Sequence, residues 1–180
     1  MSKIVVVGAG GQVGEKICSI ALGMGHDVYG TYKSRTTQLP LSGKPLNFAA
    51  WFVSQVVSGK NVYIVTDQIA SPTLADDLAR AILALSTSSS AQGIYHTAGA
   101  TPLSRFESTV KMARKLGLNE ALIHPTASSK FKQTGKRPLN SSLVSDRIKN
   151  EVGYEMMPID KALDEFAKQG ELTVTPPPSV

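Results

Sequence analysis

The sequence has almost none of the residues that build disulfide frameworks or cysteine-rich metal centres. Its 180 residues include one cysteine, Cys18, which has no second cysteine in the chain to pair with. Long apolar runs are also lacking. The run Ile4 to Val7, like every other in the sequence, is far short of the roughly 20 residues that a membrane-spanning helix needs, and no signal peptide is recognisable. We therefore expect a cytoplasmic protein without a metal site, a disulfide or a membrane segment.

Acidic side chains are scarce in the middle of the chain. Residues 103–149 carry ten basic and three acidic side chains, whereas the whole chain has 19 Lys and Arg against 14 Asp and Glu. A solvated helix face and a site for an anionic small molecule, such as a nucleotide, both fit this stretch. Because it holds only two aromatic residues, Phe106 and Phe131, and no nucleic-acid-binding motif, we do not expect nucleic acid as a partner.

The hydrophobic pattern predicts an α/β fold. The chain is 42% hydrophobic, which is enough for a globular core. The unbroken β-branched run from Lys3 to Val7 predicts a strand buried on both faces, in the centre of a parallel sheet. A glycine-rich turn, a helix to about Leu22 and a second strand at residues 27–32 complete one βαβ unit. Capped helices and short strands, one of them at residues 93–97, follow. The predicted fold class is therefore α/β with an abbreviated, Rossmann-like parallel sheet.

Residues 8–14, GAGGQVG, lie between the predicted first strand and the predicted first helix. In that position Gly8 permits a tight turn, Gly11 lets the backbone approach a pyrophosphate, and Gly14 lets the helix pack close to the strand. The N–H groups at the start of the helix attract phosphate. A glycine-rich turn that binds nothing is the alternative. The intact order of strand, turn, helix and strand favours a dinucleotide site made by Gly8, Gly11, Gln12, Val13 and Gly14.

The end of the second predicted strand indicates which dinucleotide would bind. An acidic residue usually stands there when the ligand is NAD, because it accepts hydrogen bonds from the ribose hydroxyl groups. This sequence instead has Lys33, Ser34 and Arg35, which suit the additional phosphate of NADP. The pattern therefore favours NADP over NAD. The alternative is that both cations are solvated loop residues.

Six segments spread along the chain form a recognisable series. They are the glycine motif, DQIASPT with DDLA at residues 67–79, GIYHTAG at 93–99, SRFE at 104–107, KRP with NS at 136–141, and ALDEF at 162–166. In content and order they resemble the dTDP-4-dehydrorhamnose reductase family. Its members are extended short-chain dehydrogenases that reduce a 4-keto nucleotide sugar with NADPH. The family also contains non-catalytic members, such as the regulatory β subunit of methionine adenosyltransferase.

The resemblance covers residues 1–35 and about 42–168, and it implies a division of the chain. Residues 1–41 would form a dinucleotide-binding βαβ unit, residues 42–170 a substrate-side α/β region packed on it, and residues 171–180 a disordered tail. It also implies a nucleotide-sugar partner, with Asn47, Phe48, Gln68 and Arg137 on the substrate side. The Arg137 guanidinium would pair with the diphosphate.

The centre of the family fold is missing from this sequence. Family members carry a catalytic Tyr-x-x-x-Lys on a helix of that central part, whereas here only residues 36–42 separate the two matching parts. The missing strands and crossovers would need on the order of a hundred residues, at about 30 for each βαβ unit. Tyr29 and Lys33 have the catalytic spacing. They lie at the end of a predicted strand, however, where residues four apart are about 13 Å apart, so no catalytic residue is assigned.

Two functional classes follow from the family resemblance and from the missing centre of the family fold. One is an NADP-binding nucleotide-sugar reductase homologue of dTDP-rhamnose biosynthesis, with catalysis impaired by the missing Tyr-x-x-x-Lys segment. The other is a non-catalytic NADP-binding regulatory or scaffold protein. An internally deleted gene product is a third explanation of the sequence. The missing strands would also leave a sheet edge unpaired, which favours a homodimer.

Overall fold

The computed structural model describes residues 2–31, 47–131, 135 and 137–169. Within these ranges the strands are β1 (Lys3–Val7), β2 (Asp27–Thr31), β3 (Val62–Val65), β4 (Ile69–Ala70), β5 (Leu103–Ser104) and β6 (Ile123–Thr126). The helices are α1 (Gln12–Gly23), α2 (Phe48–Val57), α3 (Ala75–Thr87), α4 (Arg105–Leu116), α5 (Asp146–Val152) and α6 (Ile159–Lys168). Short 3₁₀ helices occupy Glu120–Leu122 and Ser128–Lys130. The predicted tail, residues 171–180, lies outside the described residues.

The described residues form two compact units. The first unit contains residues 2–31, 73–100 and 143–158, and the second contains residues 47–72, 101–131, 135, 137–142 and 159–169. This grouping differs from the boundary after residue 41 that the sequence suggests, because each unit is built from separate stretches of chain. Helix α3 packs against α1, which joins residues 73–100 to the first unit.

The first unit contains the predicted βαβ arrangement. Strands β1 and β2 are parallel, in a register that pairs Lys3 with Asp27 and Val7 with Thr31, and α1 connects them. This confirms the prediction that the two strands lie side by side. The prediction that β1 is buried on both faces is wrong, however. Val6 is buried, but Val5 is 65% and Val7 85% exposed, since a single crossover helix covers only one face of a sheet.

The stretch predicted as a strand at residues 93–97 is not a strand in the structure. A side chain bonds to the backbone here instead of a neighbouring strand: the Arg147 guanidinium donates to the carbonyl of Ile94 within the stretch and to that of Gln92 just before it, both at 2.9 Å. Further along, the Ala98 N–H donates to the Ser145 hydroxyl at 3.0 Å. An arginine from α5 therefore organises this loop.

A buried carboxylate ties α3 to the end of the first unit. Asp77 is 1% exposed, and it accepts hydrogen bonds from the Tyr154 hydroxyl at 2.7 Å and from the Met157 N–H at 2.9 Å. Buried carboxylates are costly unless they are hydrogen-bonded in this way. Asp77 thus connects the first turn of α3 to a segment about 80 residues away in the sequence.

The second unit is built around Phe52, which is fully buried. Its strands form two small sheets, with β3 parallel to β6 and β4 antiparallel to β5, and α4 packs against α6. The core consists of apolar side chains from all of these layers: Phe52, Val53, Val56, Val62, Ile64, Leu103, Met112, Ala113, Ile123, Ile159 and Leu163. The predicted capping box of α4 is present, because the Glu107 N–H donates to the Ser104 hydroxyl and the Ser104 N–H donates to the Glu107 carboxylate.

No helix of the described residues is long and apolar enough to cross a membrane. In the same part of the chain, no three His, Cys, Asp or Glu side chains are grouped so that they could hold a metal ion.

Candidate functional sites

The glycine motif forms the turn between β1 and α1. Gly8 has φ +86°, a left-handed conformation that glycine adopts without strain. The Thr31 carbonyl accepts hydrogen bonds from the N–H groups of Gly8 at 3.0 Å and Ala9 at 2.8 Å, so the turn is held against the end of β2. Gly11 is the N-cap residue and provides no side-chain cap. The first N–H groups of α1 are therefore not capped by a side chain at this position, as a phosphate-binding helix start requires.

Two glycines permit the close packing of this turn. A Cβ atom at Gly14 would lie 2.3 Å from the Gly8 carbonyl oxygen, whereas a Cβ at Gly11 would meet the same oxygen at 3.4 Å. Gly14 thus fills the packing role predicted for it. Gly30 in β2 is a residue that the sequence reasoning missed. A Cβ there would lie 2.7 Å from the Ala9 Cβ, and a glycine inside a predicted strand is the signal for such an approach.

The residues predicted to select NADP, Lys33, Ser34 and Arg35, lie outside the described residues. Tyr29 is described, and it belongs to β2, where its hydroxyl donates to the Asp27 carboxylate at 3.3 Å. This agrees with its predicted position on a strand rather than on a helix. The geometry in which Tyr-x-x-x-Lys acts needs both side chains on one helical face, and Tyr29 does not have it.

The second unit contains a pocket of about 450 Å³. Its walls come from α2, β3, the start of α4 and the loop after the second 3₁₀ helix. They are formed by Phe48, Trp51, Tyr63, Ile64, Val65, Gln68, Arg105, Phe131, Gly135 and Arg137. Four of these side chains are aromatic and two are guanidinium groups. Among the described residues that line the pocket, none is acidic, so it can accept an anion that also carries flat apolar groups.

Three of the four residues predicted for the substrate side, Phe48, Gln68 and Arg137, line this pocket. Asn47 does not. Its side-chain oxygen accepts a hydrogen bond from the Ala50 N–H at 2.9 Å and caps α2, so Asn47 fixes the helix that carries Phe48. The structure thus gives Asn47 a positioning role next to the pocket residues.

Sequence reasoning missed several pocket residues. Trp51 appears from the sequence to fill the core, yet it is 36% exposed and lies in the pocket wall. Arg105 is recognisable only as part of the SRFE segment. Its guanidinium lies over the Phe48 ring, 4.8 Å from the ring centroid. Burial against the pocket wall lowers the pKa of Arg105, and the nearby positive charge of Arg137 lowers it further.

Asp67 holds the loop that forms one side of the pocket. Its carboxylate accepts hydrogen bonds from the Ser128 hydroxyl at 2.8 Å and from the Ser128 N–H at 3.0 Å. The bond from the Ser128 hydroxyl is the main reason why the pKa of Asp67 lies below its ordinary value. Asp67 stands two residues after the end of β3, and Phe131 stands three residues after Ser128. The bond therefore anchors the loop with Phe131 close to the strand that provides Tyr63.

The fold is that of the Rossmann-like reductases, as predicted. A crystal structure described as a dTDP-4-dehydrorhamnose reductase orthologue from Clostridium acetobutylicum superposes with a TM-score of 0.76, over 94% of this chain and 99% of that one. At 13% identity this similarity concerns the fold alone. A dTDP-4-dehydrorhamnose reductase from Bacillus anthracis, in complex with NADP, is 25% identical with a TM-score of 0.61. That match covers 70% of this chain and 44% of the other.

A family model identifies the family to which the chain belongs. The model of the RmlD substrate binding domain matches residues 34–172, so the chain belongs to this family. The predicted resemblance to the dTDP-4-dehydrorhamnose reductases is thereby confirmed. Among curated proteins, the dTDP-4-dehydrorhamnose reductase of Mycolicibacterium smegmatis is 28% identical over 116 residues. A probable dTDP-4,6-dihydroxy-2-methyloxan-3-one 4-ketoreductase of Streptomyces antibioticus is 27% identical over 101 residues. These matches cover 64% and 56% of this chain, but only 36% and 34% of the two relatives.

Proposed function

We propose that the chain is an NADP-binding homologue of the nucleotide-sugar reductases. The glycine turn would take the cofactor, and the pocket of the second unit would take the nucleotide sugar. The observation that carries the proposal is the glycine turn at the end of β1, where Gly14 packs against the Gly8 carbonyl with no room for a Cβ. Family membership and the NADP complex of the Bacillus anthracis relative support the same assignment.

The residues of the turn fit a dinucleotide. Gly11 leaves open backbone where a pyrophosphate would approach, and the uncapped start of α1 supplies N–H donors for phosphate oxygens. Lys33 and Arg35, with Ser34 between them, would hold the additional phosphate of NADP by charge-assisted hydrogen bonds. NADPH supplies a hydride when it is bound. The residues of this chain would bind and orient it.

Substrate binding is assigned to Phe48, Gln68 and Arg137 on the grounds of the pocket that they share. An open pocket with aromatic walls and two guanidinium groups suits a ligand that combines a flat ring with a phosphate. Asn47 would act indirectly, through its cap on α2. The nucleotide sugar is thus expected in the second unit.

We further propose that reduction itself is impaired. A keto oxygen that receives a hydride on its carbon must be protonated, and general acids typically contribute 100- to 10,000-fold to such rates. The family's Tyr-x-x-x-Lys segment is missing from the sequence, and Tyr29 lies on a strand.

The alternative is a non-catalytic regulatory or scaffold protein that binds NADP and docks on a partner. The exposed apolar side chains Val5 and Val7 on one face of the β1–β2 sheet favour this second candidate, because bare apolar sheet surface commonly marks a contact with another chain. A homodimer is one form that such a contact would take. Size-exclusion chromatography with light scattering tests for it.

The experiment that tests the cofactor assignment is a calorimetric titration with NADPH and NADH. We expect tighter binding of NADPH, and we expect Lys33→Ala and Arg35→Ala to reduce the preference, each by about 1.5 to 3 kcal/mol. Equal binding of the two cofactors, or binding of neither, would refute the assignment.

An activity assay with NADPH and a dTDP-4-keto-6-deoxysugar tests the proposal that reduction is impaired. Turnover below about 1 per second, the low end of the usual enzyme range, is expected for the wild-type chain and for Tyr29→Phe alike. Rapid turnover that disappears in Tyr29→Phe would show that this tyrosine is the proton donor after all.

A further inference from the structure

The pocket of the second unit contains two positive charges and, among its described lining residues, no negative one. Arg105 begins α4, and Arg137 lies on the loop opposite. Each guanidinium repels the other, and this repulsion contributes to the lowered pKa of Arg105. Two like charges that share one pocket cost free energy in the empty protein, and an anion with more than one negative charge relieves that cost.

The position of Arg105 does not depend on its charged side chain. Its N–H donates to the Gln68 carbonyl at 3.0 Å, and its carbonyl accepts from the Thr109 hydroxyl at 2.7 Å. The Ser104–Glu107 capping box fixes the start of α4. The guanidinium, in contrast, lies over the face of the Phe48 ring, a cation–π contact that leaves its N–H edges unused. It is positioned, but it is free to donate its N–H groups to a ligand.

We propose that Arg105 is a specificity-determining residue of this pocket, which together with Arg137 binds the diphosphate of a nucleoside diphosphate. The inference rests on the proposed function, in that it takes this pocket as the nucleotide-sugar site. The inference adds Arg105 as a second guanidinium beside Arg137 and gives a reason why the pocket contains two. One arginine suffices for a single phosphate, whereas two arginines facing one pocket match the two linked phosphates of a diphosphate.

The aromatic walls point to the nucleoside part of the same ligand. Phe48 and Trp51 stand on one side of α2 with ring centroids 5.7 Å apart, and Tyr63 and Phe131 are exposed side chains of the same pocket. A nucleobase stacks on such rings with little dependence on its identity. The phosphates, not the base, therefore determine which ligands bind tightly.

Trp51 makes this proposal measurable, because it is the only tryptophan in the chain and it lines the pocket. Its fluorescence should change when inorganic pyrophosphate or dTDP binds, and calorimetry provides a second measure of the same binding. The variants are Arg105→Gln, Arg105→Lys and, as a matched control, Arg114→Gln. Arg114 lies on the same helix, but its guanidinium pairs with Glu120 at 3.0 Å outside the pocket.

We expect Arg105→Gln to weaken pyrophosphate and dTDP binding by roughly tenfold or more, to weaken orthophosphate binding much less, and to reduce the dependence of binding on salt. Arg105→Lys should recover part of the affinity, since it keeps the charge but not the planar fork. Arg114→Gln should bind like the wild type. Thermal melting of each variant checks that it is folded.

Three results would overturn the inference. They are wild-type affinity for pyrophosphate in Arg105→Gln, an equal loss in Arg114→Gln, and no calorimetric binding of pyrophosphate to the wild type. Failure of the cofactor assignment gives a different result. A wild-type chain that binds pyrophosphate but does not bind NADPH would refute the cofactor assignment and leave the proposed role of Arg105 intact.

Discussion

The packing of the glycine turn gives the sharpest prediction, because the structure assigns different roles to Gly14 and Gly11. At Gly14 an added Cβ would lie 2.3 Å from the Gly8 carbonyl oxygen and 3.0 Å from the Ala9 Cα. Both are backbone atoms, so the turn or the helix must shift. An alanine in a helix gains about 0.8 to 1.0 kcal/mol over glycine, whereas overpacking typically costs about 1 to 3 kcal/mol. We expect the cost to exceed the gain at this contact.

For a chain of this length, 1 kcal/mol corresponds to a change in melting temperature of about 2 to 4 °C. Gly14→Ala should therefore lower the melting temperature by several degrees, as measured by circular dichroism or calorimetry. The matched control is Gly23→Ala at the other end of α1, where a Cβ would meet nothing within 4 Å. It should leave the melting temperature unchanged or raise it by up to about 4 °C.

Gly11→Ala tests cofactor binding separately from the packing of the glycine turn. A Cβ at Gly11 meets the Gly8 oxygen at 3.4 Å, which is an ordinary contact, so the folded state should tolerate it at a cost of up to about 1 kcal/mol from the changed N-cap. The same Cβ would obstruct a pyrophosphate, so NADPH binding should weaken far more than stability does. An unchanged melting temperature in Gly14→Ala would refute the packing argument, and unchanged NADPH affinity in Gly11→Ala would refute the proposed phosphate position.

Two further predictions concern the carboxylates that hold each unit together. Asp77→Ala should destabilise the first unit by about 1 to 3 kcal/mol, because the Met157 N–H loses the buried carboxylate as its acceptor and the 2.7 Å bond from the Tyr154 hydroxyl is removed; thermal or urea unfolding measures this, and a loss below 1 kcal/mol would contradict it. Because the Ser128 hydroxyl lowers the pKa of Asp67, its stabilising effect is present above the unfolded pKa, near 4, and is lost as the pH falls through the lower folded value. The melting temperatures of wild type and Ser128→Ala should therefore differ at pH 7, and the difference should shrink as the pH falls below about 4; a constant difference would show that this bond does not depend on the charge.

The βαβ unit was predictable because its signals are local. An unbroken run of valines, a glycine turn and a helix of suitable length determine a strand, a turn and a helix whatever surrounds them. The capping box of α4 is equally local, since Ser104 and Glu107 satisfy each other's backbone N–H groups. For the same reason, the sequence identified Gly14 as a position of close packing, which the structure shows against the turn residues Gly8 and Ala9.

The predictions that failed depended on neighbours that a local pattern does not specify. Valine-rich β1 has the composition of a fully buried strand, but burial needs a second layer, and Val7 is exposed. The stretch at residues 93–97 has strand composition, yet Arg147 from α5 bonds to the Ile94 carbonyl within it. Trp51 is a large apolar side chain that sequence reasoning assigns to the core, yet it is 36% exposed, whereas the neighbouring Phe52 is fully buried in the core.

The sequence by itself determined the family, the α/β class and the glycine turn, because these depend on the order of residues along the chain. Only the tertiary structure decided which residues share a pocket, because Phe48, Arg105 and Arg137 are far apart in the sequence and meet through the packing of separate elements. It also distinguished Asn47, which caps α2, from the residues that line the pocket. The physical reason is that hydrogen bonding and steric fit within one turn of chain are encoded locally, whereas burial and electrostatic repulsion depend on what folds alongside.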